Sequence, residues 1–184
     1  MSSIPLKEST RLALGSFDFR WSNKHVTFGK SRKGLRLGLL GEHQSRNGAL
    51  VAASVDILNQ RGWSIPDEAL ASSLEETQIK ARMQVVESRP WLLIDSAHNI
   101  ASTQALTHTL RQHFRPNRRI LIFSASKDKD YAKMLEILAS CFDTIILTQY
   151  QTNPRAVPLD SLAALCQSIT GGGNAPRPTV LQGA

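Results

Sequence analysis

Trp91-Leu92-Leu93-Ile94-Asp95-Ser96-Ala97-His98-Asn99 is an apolar run that stops abruptly in an acid, a histidine and an amide, just before a helical pattern begins. A short apolar run of this kind reads as a buried parallel strand, and ligands of open α/β sheets bind where such strands end and the next helix starts. The stretch therefore predicts an α/β fold with Asp95 and His98 on a binding edge.

Downstream the pattern alternates: helix over 101–114, strand over 119–123, helix over 130–140, strand over 144–148, helix over 159–169 and a last strand over 179–181. Alternation of this kind predicts a Rossmann-like, mainly parallel sheet with helices on both faces. Three strand ends carry polar clusters, at 95–99, 124–130 and 149–155. In a doubly wound sheet such loops converge on one rim, where residues distant in sequence face one ligand. Short strand-to-helix loops are polar in any case, and caps at Asn99 and Asp130 account for part of the pattern. Gly171-Gly172-Gly173-Asn174 has no strand-to-helix context and reads as a turn.

Upstream, Phe17-Asp18-Phe19-Arg20-Trp21 and His25-Val26-Thr27-Phe28 are alternating runs parted by Ser22-Asn23-Lys24, as in a β-hairpin. A third strand is expected over 35–40. This short β segment, 1–40, reads as the edge of a preceding domain, with 41–184 as the main domain and the boundary near Gly41. From His43 a helix is predicted with Leu50, Ala53, Ile57 and Leu58 on one face, ending at Arg61-Gly62, where glycine suits a C-terminal cap. Pro66 suits the first turn of a second helix carrying Leu70 and Leu74. Residues 83–87 and 91–94 read as paired strands.

The composition is that of an ordinary globular protein: 184 residues, 41% hydrophobic and 20% charged, with no membrane-length apolar run. No basic start followed by an apolar core and a cleavage site precedes Arg11, so the cytoplasm is the expected compartment. Cys141 and Cys166 end apolar helical patterns and read as small buried hydrophobes. Twenty-two basic residues against 15 acidic ones give +7, which favours anionic partners. The basic clusters, Lys30-Ser31-Arg32-Lys33 and 115–119, do not interleave with the aromatics that single-strand binding needs, so nucleic acid is set aside.

Three blocks together, Gly41-Glu42-His43-Gln44-Ser45-Arg46-Asn47-Gly48-Ala49, Lys80-Ala81-Arg82-Met83-Gln84-Val85 and Ile94-Asp95-Ser96-Ala97-His98-Asn99, resemble the C-terminal domain of folylpolyglutamate synthase. That family includes the bifunctional dihydrofolate synthases and is related to the Mur ligases. Asp128-Lys129-Asp130 and Pro154-Arg155-Ala156 extend the likeness, which runs from about Phe17 to the end. Departures are Ser96 and Ile100 where the family usually has glycine and proline, and Lys80-Ala81-Arg82 where it usually has Pro-Gly-Arg. Glycine permits backbone angles that other residues resist, and proline pre-organises the first helical turn.

The resemblance implies ATP-dependent ligation of L-glutamate to a folate through an acyl phosphate, with magnesium and cationic side chains neutralising the transferring group. By position it implies that Asn47 contacts the nucleotide at the adenine edge, that Arg82 reaches the phosphates, and that Asp95 accepts from the ribose hydroxyls. His98 is the catalytic candidate; holding its loop in shape and touching ligand are equal alternatives. Lys127, Asp128 and Lys129 read as an ordinary charged loop or as contacts to the negative glutamate tail, and Arg155 as solvated or ligand-binding; all four stay outside the main site. The chain has no Gly-x-x-x-x-Gly-Lys-Ser/Thr phosphate loop. The expectation is thus a fragment, a monomer whose N-terminal ATPase domain and magnesium ligands are missing and which is inactive alone. The alternatives are another Mur-type amino-acid ligase, against which His43-Gln44 and Asp128-Lys129-Asp130 count, and a non-catalytic nucleotide-binding or interaction module.

Overall fold

The structure is a computed structural model that describes residues 17–19, 32–171 and 179–182. The chain forms two compact units, one ending at Ser96 and the other beginning at Ala97.

In the first unit, β1 (Phe17–Phe19) pairs antiparallel with β2 (Arg32–Leu35). The expected strand over 25–28 lies outside the described residues, and the third expected strand is replaced by β2, which ends where that one was to begin. Helices α1 (Glu42–Gln60) and α2 (Asp67–Glu76) follow, then β3 (Gln84–Ser88) and β4 (Trp91–Ile94). As predicted, α1 stops at a glycine: Gly62 takes φ 93°, and its N–H donates to the Asn59 carbonyl. Asn59 also clasps the next turn, its side chain accepting from Ile65 N–H at 2.8 Å and donating to Ile65 O at 2.9 Å. Pro66 sits at the N-cap of α2, and Asp67 and Glu68 in its first turn suit the helix dipole.

The inward face of α1 differs from the expected one. Gln44, Gly48, Ala52 and Val55 are buried, while Leu50 and Ile57 are exposed. Small residues let α1 lie close to Leu35, Leu37, Leu70 and Leu74, which fill this core. The same rotation carries Asp56 to Arg32, whose buried guanidinium makes a two-pronged bond to Asp56 and donates through Nε and Nη2 to Asp67 Oδ1. One cation thereby ties β2 to α1 and to the start of α2.

The deciding stretch, 91–94, is a strand paired with β3, as expected, but it is not a buried parallel strand. It runs antiparallel to β3, and Trp91, Leu92 and Ile94 are exposed. The two runs are joined by a tight turn, and a parallel pair needs a long crossover.

The second unit has the predicted mixed α/β architecture. Helix α3 (Ile100–His113) leads into β5 (Ile120–Phe123), α4 (Tyr131–Ala139), β6 (Thr144–Leu147), α5 (Leu159–Gly171) and β7 (Thr179–Gln182). The strands form one parallel sheet in the order β5-β6-β7, with Ile120 opposite Thr144 and Thr144 opposite Thr179. Helices α4 and α5 share one core with the sheet, and α4 packs against both α3 and α5. Leu135, Ile145, Leu147, Leu162 and Cys166 fill the core beneath them. On the opposite face Ile120 and Ile122 are exposed. Cys141 and Cys166 are buried thiols, as read from the sequence, and burial pushes the Cys166 thiol up.

Candidate functional site

In the first unit the polar candidates gather around the start of α1 and the loop before β3. His43, Gln44 and Asn47 occupy the first turns of α1, at spacings that place residues 44 and 47 on one side of the helix. Asn47 is exposed and Gln44 buried. Asn47 Nδ2 donates to Gln44 Oε1 at 3.0 Å, and Gln44 Nε2 lies 3.1 Å from His43 Nε2. The other ring nitrogen, His43 Nδ1, is buried and has no hydrogen-bond partner.

Burial pushes the His43 pKa below its usual value; the Asp95 carboxylate opposes that shift and the Arg82 guanidinium adds to it. His43 therefore lies within electrostatic reach of both expected ligand-binding charges. Neutral imidazole is the favoured form here, which leaves one ring nitrogen an acceptor and the other a donor.

Arg82 is half-buried and sits in a strained loop. Its neighbours Ala81 and Met83 take φ 54° and 45°, the left-handed region that L-residues other than asparagine and aspartate seldom enter. Three bonds hold them there. Gln84 Oε1 accepts from Ala81 N–H at 3.0 Å, Asp95 Oδ2 accepts from Met83 N–H at 2.8 Å, and Ser96 N–H donates to Ala81 O at 2.9 Å. Asp95 thus shapes the backbone that presents Arg82. Ser96, the other position where a glycine was anticipated, is not among the described residues with positive φ. The demand for glycine-like angles falls on Ala81.

His98 belongs to the second unit, exposed just before α3. Its backbone N–H donates to Ser102 Oγ at 3.1 Å. Asn99 is a cap, as anticipated: it accepts from Ser102 N–H at 2.8 Å while Ser102 Oγ accepts from Asn99 N–H at 3.1 Å. This reciprocal pair supplies the helix start that Ile100, in place of proline, does not pre-organise. Asp130 likewise caps α4 through Lys133 N–H.

The loops after β5 and β6 meet: Lys127 N–H donates to Arg155 O at 2.8 Å, and Ser126 bridges to Ala156. Asp128 pairs with Lys129 at 2.9 Å, and its pKa is lowered first by that bond and also by the nearby Arg155 charge. Among the described residues no group of three His, Cys, Asp or Glu side chains is placed to hold a metal ion.

Sequence reasoning missed Gln44 and Gln84 as parts of the site. The spacing of three between Gln44 and Asn47 was an available signal; the Gln84 contact depends on a backbone angle that no pattern encodes.

The sequence profile of the Mur ligase, glutamate ligase domain, matches residues 81–180. The chain is 34% identical over 128 residues to the dihydrofolate synthase/folylpolyglutamate synthase of Bacillus subtilis, a match covering 69% of this chain and 30% of that protein. It superposes on Mycobacterium tuberculosis folylpolyglutamate synthase complexed with ADP with a TM-score of 0.72 and 28% identity, covering 84% of this chain and 33% of that one. The bifunctional Yersinia pestis enzyme complexed with AMPPNP and a manganese ion shares the fold at a TM-score of 0.61 and 20% identity, over 86% of this chain and 40% of that one. The chain thus spans about a third of the length of its relatives.

Proposed function

Because the chain belongs to the Mur ligase family through its glutamate ligase domain, we infer that it supplies part of the nucleotide site of an ATP-dependent ligase that joins L-glutamate to a folate. In this reading the γ-phosphoryl group passes from ATP to the folate's terminal carboxylate, releasing ADP. The glutamate amine then attacks the acyl carbon, phosphate leaves with the C–O bond electrons, and an amide forms.

The observation that carries the reading is the grouping of Asn47, Arg82 and Asp95 around His43 in one unit. Asn47 offers an amide to the adenine edge. Arg82, with a fixed charge and forked donors, is assigned to the phosphates. Asp95 is assigned to the ribose hydroxyls as well as to its loop. His98, in the second unit, keeps its assignment to ligand contact from the loop before α3.

Magnesium neutralises phosphate charge in chemistry of this type, and the described donor set does not fit such an ion. Its ligands and the phosphate loop are assigned to an ATPase segment outside this chain, of which residues 1–40 form the edge and which 41–184 follow as the C-terminal domain. Among the described residues no helix is long and apolar enough to cross a membrane. The reading is of a monomeric cytoplasmic protein that does not bind nucleic acid and is inactive without that segment.

Calorimetric titration of the chain with ATP tests the site. Binding that weakens about tenfold in both Asn47→Ala and Arg82→Met, a loss of about 1.4 kcal/mol each, supports it; no binding overturns it. Joining the chain to the ATPase half of a relative tests the reaction: folate- and glutamate-dependent phosphate release is expected, and ATP binding without release overturns the ligase reading.

A further inference from the structure

We propose that Gln44 is a positioning residue that fixes which way round the Asn47 amide faces the nucleotide, and that His43 holds Gln44 in turn. The proposal rests on the reading that Asn47 meets the base.

Directionality follows from the donors. Asn47 Nδ2 donates to Gln44 Oε1, so the Gln44 NH2 group is the one turned toward His43. An amide NH2 only donates, so His43 Nε2 must accept, and the ring proton sits on Nδ1. Burial favours that neutral ring, and the charged groups it feels are Asp95 and Arg82.

Asn47 spends one of its two N–H bonds on Gln44. Its Oδ1 and the remaining N–H, side by side on an exposed side chain, offer one acceptor and one donor. Adenine offers the complement, an N6 amine beside a ring-nitrogen acceptor, whereas the O6 and N7 of guanine are both acceptors. For a base held in the same pose, reading guanine's O6 and N1–H edge requires the Asn47 amide to turn over, which sets Oδ1 against Gln44 Oε1. Gln44 would then have to turn as well, presenting its own oxygen to His43 Nε2 and requiring a proton there. One proton on His43 is thereby correlated with the base edge offered two links away. The buried, unpartnered Nδ1 donor marks the interior end of this chain of bonds.

The test is calorimetric titration of the chain with ADP and with GDP, for the parent and for Gln44→Leu and Gln44→Glu, with long-range 1H–15N NMR of His43. The parent should prefer ADP, with its His43 proton on Nδ1. Gln44→Leu removes the clamp with little change in volume and should cut the ADP-to-GDP preference about tenfold, the worth of roughly one hydrogen bond to a polar group. Gln44→Glu still accepts from Asn47 and should retain the preference, with a raised His43 pKa. An unchanged preference in Gln44→Leu, or an Nε2–H ring in the parent, overturns this role alone. Absence of ADP binding in the parent removes the nucleotide reading and this role with it.

Discussion

The Asp95 carboxylate accepts the backbone N–H of Met83 at 2.8 Å, so the residue assigned to nucleotide also fixes the loop that carries Arg82. The two roles separate by substitution. Asp95→Asn keeps an acceptor for Met83 and should leave stability within about 0.5 kcal/mol while weakening ATP binding. Asp95→Ala leaves that N–H unpaired and should cost about 1–3 kcal/mol. Trp63 and Trp91 lie in the first unit and the sequence has no tryptophan after Trp91, so urea unfolding followed by fluorescence reports on this unit.

Ala81 at φ 54° bears strain that glycine would not. Ala81→Gly should raise the urea midpoint by the equivalent of about 0.5–1 kcal/mol, the left-handed penalty less the extra chain entropy of glycine. A lowered midpoint would show that the loop has relaxed around alanine.

The pH dependence of the first unit should carry a His43 contribution. Its folded pKa lies below its usual 6.5, so the unfolded chain takes up the proton first as pH falls. The stabilisation is fully present above about 6.5 and is lost progressively down to the folded pKa. His43→Gln should flatten the stability difference between pH 7.5 and 5.5 relative to the parent. In the same window, ADP affinity of the parent should fall, because a proton on Nε2 opposes the Gln44 NH2.

Among the described residues Arg32 should be the most sensitive charge to replace. Its side chain is 6% exposed and that of Asp56 10%, so Arg32→Leu takes the guanidinium from a buried carboxylate and should cost about 3–5 kcal/mol. Adding Asp56→Leu should recover more than half of that loss in the same urea titration.

Gly38 has no room for a side chain: a methyl there runs into the carbonyl oxygens of Glu75 and Thr77. Those oxygens end α2, and Gly38 N–H donates to Leu74 O at 2.8 Å. Gly38→Ala should therefore destabilise by about 2–3 kcal/mol, without altering the ADP-to-GDP preference.

The helices, most strands and the polar strand ends were legible because periodicity and capping are local. Asn99 and Asp130 cap where their types suggested, and Gly62 closes α1. The inward face of α1 was not legible, since Leu50 and Ile57 outweigh Gly48 and Ala52 in any hydrophobic count. What turns the helix is close packing of small residues and the pairing of Asp56 with Arg32, a partner far off in sequence. The orientation of β4 was misread because an apolar run does not encode its neighbour, whereas the short turn at Arg89-Pro90 does. Within the candidate site, Asn47, Arg82 and Asp95 are proposed from residue type and position. The bonds of Gln44 and Gln84 needed backbone geometry.

The sheet of the second unit pairs each strand with the one that comes next in the chain. Assembly of that sheet can thus proceed in the order of synthesis, each helix-and-strand step closing a short loop onto an edge already formed. Low sequence separation between partners is the condition for rapid folding, so this unit is suited to forming strand by strand as it emerges from the ribosome.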